Sequence, residues 1–402
     1  MRQLHDGRYS AIELFAGAGG LALGTAKAGF HHAAVIEWDS NACASLRHNA
    51  TRIAPMAEWP IHEIDARRFD YSTIGEAISL IAAGAPCQPF SLGGKHRGHR
   101  DDRNLFPEVF RAVRELLPEA VLIENVKGLL RKSFSPYFEY ILLQLRYPHV
   151  IPSAGESWQD HKMRLEKLAT GEGTAGSTEP LYEVDYQLLN AADFGLPQRR
   201  ERVFIVAFRR DLGLSWEPLE STHSQDALLY TQFISGSYWD RHGVPMSDPS
   251  GRIRSRVAQL GLWGPRPEKP WVTVRDALCD LPEPTVGEEH PDIPNHVGND
   301  GARTYPGHTG SPVDEPAKTL KAGDHGVPGG ENMLRRPDGT VRYFTVREAA
   351  RLQGFPDEYI LQGSWTEAMR QLGNAVPVDL AEVVAKAVRE KVRPALTKTK
   401  VA

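Results

Sequence analysis

The run Phe15-Ala16-Gly17-Ala18-Gly19-Gly20 decides how this chain is read. A short apolar stretch, Tyr9–Phe15, precedes it, and Leu21–Ala28, which reads as a helix, follows. Glycines between a strand and a helix let a ligand approach the backbone where the helix presents unpaired N–H groups. Gly17, Gly19 and Ala22 fit the spacing G-x-G-x-x-A, and Glu37 falls where a nucleoside-binding fold places its ribose contact. The reading predicts a nucleoside cofactor but not which one. A dinucleotide fits equally, and a tight structural turn is the plainer alternative. Trp38 offers a flat apolar face for an adenine, and Asp65, in Ile64-Asp65-Ala66, can accept a hydrogen bond from an exocyclic amine.

Outward from this turn, strand-like and helix-like stretches alternate. Ala33–Ile36, Ile78–Ala83 and Ala120–Ile123 read as strands; Asn41–His48 and Leu105–Leu117 read as helices. Repeated strand–helix units predict an α/β fold with a mostly parallel sheet and helices on both faces. Tyr182–Leu189 and Arg202–Phe208 read as two more strands around the turn signal Phe194-Gly195-Leu196-Pro197. Residues 154–180 read as a partly mobile insertion. From 211 to 340, Pro, Gly, Asp and Trp abound and helical periods are few, which predicts a smaller irregular or β-rich domain. Helical pattern returns at Val346–Leu352 and Leu380–Val392.

Bulk properties exclude several classes. The 402 residues allow two domains, and no apolar run is long enough to span a bilayer. The first ten residues lack the apolar centre of a signal peptide, so a cytoplasmic protein is expected, with no membrane partner. The three cysteines (Cys43, Cys87 and Cys279) are far apart, which argues against a disulfide framework. The fifteen histidines show no metal-binding spacing, so no metal is expected. Net charge is −4, yet Lys95–Arg100, Arg199–Arg202, Arg209-Arg210 and Arg252-x-Arg254-x-Arg256 are local basic clusters. Such clusters can hold phosphate whatever the total charge, although any one alone fits a solvated surface.

Three further stretches carry chemistry. Cys87 lies in Gly84-Ala-Pro-Cys-Gln-Pro-Phe-Ser91, just after a strand, with Pro86 and Pro89 restricting the backbone around it. A thiol there is placed to be a nucleophile; a packed cysteine is the other reading. Glu124-Asn125-Val126 follows the next strand and places an acid beside the nucleophile strand, where a general acid or a helix cap would sit. Gln198-Arg199-Arg200-Glu201-Arg202 opens a later strand, and alternation predicts Arg200 and Arg202 on one face.

Taken in order, these stretches resemble the DNA (cytosine-5)-methyltransferases of bacterial type. The matching residues are Glu13–Gly20, Glu37–Asp39, Gly84–Ser91, Glu124–Val126, Gln198–Arg202, Thr345–Asp357 and Gly373–Pro377. The ordered set runs from near the first residue to the final helix. It departs from the family where Glu13 stands for the usual Asp, where Ile64-Asp65 replaces Gly-Asp, and where the 154–180 insertion is longer than a minimal member needs.

The resemblance implies a Rossmann-like S-adenosylmethionine-dependent methyltransferase domain at 1–208. A target-recognition domain at 209–344 would follow, and motifs at 345–402 would return to the first domain. The cofactor would be S-adenosyl-L-methionine, released as S-adenosyl-L-homocysteine, with no metal. It would be held by Phe15, Ala16, Gly17, Gly19, Gly20, Leu21, Glu37, Trp38, Asp65, Ala66, Asn374 and Val376. Cys87 would add to C6 of a flipped-out cytosine, Glu124 would act at N3 and the 4-amino group, and Arg202 with Arg200 would hold O2 and the Glu124 carboxylate. Pro86, Gln88 and Asn125 would shape the base pocket, and Ser91–Arg103 would close over double-stranded DNA. A nucleoid-associated monomer of a bacterial restriction-modification or host-protection system is expected, with a separately acting restriction endonuclease as its possible companion.

Three rivals remain. A tRNA cytosine methyltransferase would have a much reduced recognition segment. An NAD-dependent dehydrogenase would leave Cys87, Glu124 and the arginines without a joint role. A non-enzymatic DNA-binding relative would have no use for Cys87, Glu124 and Arg202.

Overall fold

The computed structural model describes residues 8–86, 105–171, 179–322 and 332–398. They form two compact units. The first comprises residues 1–189, 201–218 and 381–402, and the second residues 190–200 and 219–380.

The first unit is built on a seven-stranded sheet. Its strands are β1 (Tyr9–Leu14), β2 (Phe30–Glu37), β3 (Ile61–Glu63), β4 (Leu80–Gly84), β5 (Ala120–Val126), β6 (Tyr182–Asn190) and β8 (Glu201–Arg209); β7 belongs to the second unit. The order across the sheet is β3-β2-β1-β4-β5-β8-β6. The pairs β2·β3, β1·β2, β1·β4 and β4·β5 are parallel, whereas β5·β8 is antiparallel. The strand order reverses between β1 and β4. At such a reversal the loops leaving the two strands diverge, and a crevice opens at their carboxyl ends.

Helices α1 (Gly20–Lys27), α2 (Ser40–Ala50), α3 (Phe106–Leu116), α4 (Ser135–Arg146) and α5 (Trp158–Ala169) complete most of this unit. Ile12, Leu14, Ile81, Ala83, Val121 and Ile123 join Phe106, Val109, Phe110, Val113, Tyr140 and Ile141 in one core. The intervening Leu80, Ala82 and Leu122 are also buried, as a sheet covered on both faces requires. The segment expected to be a partly mobile insertion contains α5, capped by Ser157 and seated through the fully buried His161 and Leu165. Polar residues dominate its composition, but Leu165, with Trp158 and Leu168 packed against the same core, supplies the apolar side, and His161 meets the Tyr140 hydroxyl at 3.0 Å. Residues 172–178 of the same insertion lie outside the described residues.

The chain returns to this unit through α12 (Val378–Lys398). Lys27 pairs with Glu382 at 2.6 Å, and the Arg389 guanidinium lies 3.2 Å from the centre of the Tyr9 ring.

The second unit combines short strands with helices, of which only the one at Val346–Leu352 was expected from the sequence. These are α6 (Gln225–Phe233), α7 (Ser237–His242), α8 (Gly251–Trp263), α9 (Val274–Leu278), α10 (Val346–Leu352) and α11 (Trp365–Asn374). Leu228, Tyr238 and Trp239 form one small core, and Leu229, Val257 and Leu260 another. Gln198 and Arg199 form β7, which pairs in parallel with Ala317-Lys318.

Candidate active site

The loop leaving β1 is shaped by three left-handed residues, Phe15 (φ 58°), Gly17 (φ 54°) and Gly19 (φ 81°). That conformation is free for glycine but costly for phenylalanine, and such strain gathers at binding sites. Gly19 then caps α1. A Cβ built on Gly17 would meet nothing within 4 Å, so open space lies beside the turn.

Glu37, the last residue of β2, faces this turn. Its Oε2 accepts from the Gly17 N–H at 2.7 Å, and its Oε1 accepts from the N–H groups of Trp38 and Asp39, each at 2.8 Å. Burial pushes the carboxyl pKa up, and the amides of Asp39, Gly17 and Trp38 pull against that. Asp39 in turn caps α2 by accepting from the Ala42 N–H at 2.9 Å. A carboxylate has room for further donors beyond these amides. Beside it Trp38, one residue past the end of β2, is 71% exposed, an unusual state for a tryptophan.

Asp65 is reached from the next loop, where the Ile64 N–H donates to the Glu37 carbonyl at 2.8 Å. Its carboxylate is already engaged. Arg67 Nε lies 3.0 Å from both oxygens and Arg67 Nη2 lies 2.5 Å from Oδ2. Those bonds hold the Asp65 pKa below the usual carboxylate range. Arg67 is a partner that the sequence reading did not anticipate. Ala16, Gly20, Leu21 and Ala66 are buried, so what they can offer is chiefly backbone and packing.

The second cluster lies one strand further along. Gly84 of β4 pairs with Glu124 of β5, and a Cβ on Gly84 would sit 3.6 Å from the Phe15 carbonyl. The ends of β1, β4 and β5 therefore share one rim of the sheet. Glu124 is 6% exposed, and the Nε of Arg202 lies 2.7 Å from its Oε1. The antiparallel register places Arg202 opposite Val126 and Phe204 opposite Glu124. Arg202 Nη1 also donates to the Glu201 carbonyl at 2.8 Å. Outside this pair, Lys127 Nζ lies 2.7 Å from Glu201 Oε1, an exposed ion pair that the motifs did not single out.

Asn125 anchors the chain that leaves β4. Its Nδ2 donates to the Ala85 carbonyl at 3.2 Å, and its Oδ1 accepts from the Val126 N–H at 2.9 Å. Pro86 follows, half-buried. Cys87, Gln88 and the stretch Ser91–Arg103 lie outside the described residues.

Arg200 and Arg202 make different hydrogen bonds. One continuous strand was expected from Gln198, with both arginines on one face. The strand instead breaks at Arg200, between β7 and β8, so alternation does not carry across. Arg200 is fully buried in the second unit. Its Nη1 donates to the Leu320 carbonyl at 2.9 Å, and its Nη2 donates to the carbonyls of Gly373 (2.7 Å) and Ala375 (2.8 Å). Nearby, Gln198 Nε2 donates to the Leu352 carbonyl at 3.0 Å. Asn374 ends α11 and is exposed, whereas Val376 is buried; both belong to the second unit.

Among the described residues no cluster of His, Cys, Asp and Glu could hold a metal ion, and no helix is long and apolar enough to cross a membrane.

The chain is 33% identical to the Type II methyltransferase M.Eco47II of Escherichia coli over 94% of this chain and 78% of the relative. It is 30% identical to the Type II methyltransferase M.NgoMIV of Neisseria gonorrhoeae, over 94% of this chain and 96% of that one. The crystal structure of a candidate DNA modification methyltransferase encoded within an Escherichia coli prophage shares the fold, with a TM-score of 0.57 and 22% identity over 96% of this chain and 99% of that one. The model of the C-5 cytosine-specific DNA methylases matches residues 9–147 and 174–390. With a methyltransferase fold, a glycine turn facing a strand-end acid and a buried carboxylate–guanidinium pair beside it, this chain belongs to the C-5 cytosine-specific DNA methylase family.

Proposed function

We propose that the protein methylates C5 of a cytosine flipped out of a specific DNA sequence, through a covalent adduct between Cys87 and C6 of the base. The observation that carries this reading is the Glu124–Arg202 pair beside Gly84, three residues before Cys87. A neutral cytosine ring is a poor carbon nucleophile. Addition of the Cys87 thiolate to C6 pushes an electron pair toward C5, and a donor at N3 keeps charge from building on the ring. Glu124 is assigned to N3 and the 4-amino group. Arg202 orients Glu124 and reaches for O2 with its remaining N–H groups. Asn125 fixes the root of the loop that carries Cys87. Loss of the C5 proton and expulsion of Cys87 restore aromaticity after alkylation.

The first loop fits S-adenosylmethionine, which when bound supplies an electrophilic methyl group on a sulfonium. Glu37 is assigned to the ribose hydroxyls and Trp38 to the adenine face. The open space at Gly17 admits a ligand against the backbone. Asp65 is assigned to the adenine amine, which it would meet with lone pairs that Arg67 leaves over. Asn374 and Val376 are assigned to closing the site. The expected setting is bacterial host protection by a monomer acting on duplex DNA, with any restriction endonuclease acting separately.

Bisulfite sequencing of unmethylated plasmid incubated with S-adenosylmethionine tests the reading. Protected cytosines in one sequence context, absent with Cys87→Ser, are the expected result. A wild-type protein that binds the cofactor but protects no cytosine in DNA overturns it, and protected cytosines in tRNA would name the substrate instead.

A further inference from the structure

We infer that α8 is a DNA-reading helix, laid in the major groove with Arg254 on a phosphate and Gln259 facing a base edge. This rests on the proposed action on duplex DNA and adds the element that meets it. Residues 249–267 hold four arginines (252, 254, 256 and 266) and no acid, within a chain of net charge −4. The inner face of α8 is spent on the fold, with Val257 and Leu260 packed on Leu229. The outer face is a continuous exposed stripe of Arg254, Ser255, Ala258, Gln259 and Leu262.

That stripe has the chemistry of a groove helix. Arg254 is exposed, its backbone N–H donates to the Ser250 carbonyl, and its guanidinium makes no hydrogen bond or ion pair among the described residues. Ser255 and Ala258 are small, so the helix backbone can come close to a groove floor. Gln259 can present its amide to an adenine edge, and Arg256 Nη1, donating to Gln259 Oε1 at 3.2 Å, already orients it. Leu262 is 86% exposed and Trp263 58%, and apolar side chains in this state suit sugar faces or a thymine methyl.

The end of the helix is also tied down by cations. The guanidiniums of Arg256 and Arg266 lie 5.1 Å and 5.3 Å from the Trp263 ring centre. Asp226 holds both, with Arg256 Nε at 2.8 Å and Arg266 Nη2 at 3.1 Å. An exposed indole clamped by two cations is preorganised for a partner, and the lack of acids along the stripe favours a polyanion over a protein surface.

The test uses the full-length protein and a short labelled duplex carrying the site mapped by bisulfite sequencing. Arg254→Gln is expected to lower the slope of log affinity against log salt by about one. Leu262→Ser is expected to weaken binding several-fold with the slope unchanged, and Gln259→Ala to relax the sequence preference at one position of the mapped site. Affinity for S-adenosylhomocysteine, measured alongside, reports that each variant is folded. Variants that bind and select DNA as wild type does overturn the inference while wild-type methylation stands. A wild type that methylates no DNA removes the reading beneath it.

Discussion

Arg202 Nε lies 2.7 Å from Glu124 Oε1, across an antiparallel strand pair whose members are far apart in sequence. Both side chains are nearly buried, so each depends on the other for its charge. Arg202→Ala is expected to destabilise the protein by about 3 kcal/mol, because it strands a buried carboxylate. Urea unfolding measures this. Glu124→Gln keeps the shape and much of the hydrogen bonding but loses the proton-donating group. Its turnover should fall by roughly 10²–10⁴-fold with cofactor affinity retained. Normal turnover by this variant would remove Glu124 from the chemistry.

Trp38 separates binding from stability. With Trp38 71% exposed, Trp38→Ala should change unfolding free energy by no more than about 0.5 kcal/mol. If the indole carries the adenine, affinity for S-adenosylhomocysteine drops about tenfold, in line with roughly 1–1.5 kcal/mol for a stacked pair. Calorimetric titration decides; unchanged affinity would end the stacking assignment.

Glu13 predicts a pH effect. It sits inside the sheet, paired with Val35 and Ala82, and among the described residues neither carboxyl oxygen has a hydrogen-bond partner. His32 Nε2 is 3.9 Å away, but burial and the neighbouring His31 push the His32 pKa down to about 3, so it stays neutral. Burial raises the Glu13 pKa well above the ordinary glutamate value. The folded state therefore holds a proton that the unfolded state releases. Stability from this group is full below the ordinary glutamate pKa and is lost as pH climbs to the folded value, at up to about 1.4 kcal/mol per pH unit. Glu13→Gln removes that loss. Its melting temperature relative to wild type should rise as pH climbs above the ordinary glutamate pKa; a difference that does not change with pH would contradict the burial argument.

Arg200 is expected to act through the fold. Arg200→Ala takes donors from three buried carbonyls and should cost about 3 kcal/mol or more in urea unfolding. A catalytic defect in a variant of unchanged stability would instead return Arg200 to the base pocket.

Much of the first unit was legible in the sequence because local chemistry specifies it. The left-handed turn at Gly17 and Gly19 needs glycine, and β1, α1, β2, α3 and β5 follow from the period of their apolar residues. Glu37 could be found by spacing alone, since the strand length after a tight turn fixes where an acid meets the loop. Helix α5 was hidden by its polar composition, because only His161 and Leu165 are buried. In the second unit Val346–Leu352 was legible as a helix, whereas the helices between 225 and 278 were hidden among many Pro and Gly residues.

Which partner each charged group finds was left to the tertiary structure. Arg200 and Arg202 are near neighbours in an arginine-rich motif, yet a strand break sends one to three carbonyls and the other to Glu124. Asp65 is taken by Arg67, and Trp263 is held by cations fixed to Asp226. The sequence alone determined the order of the motifs, the glycine turn and the acids at the strand ends, since each rests on backbone conformation and residue spacing. The tertiary structure decided which of those groups are buried and paired, since that depends on strand register and packing between segments distant along the chain.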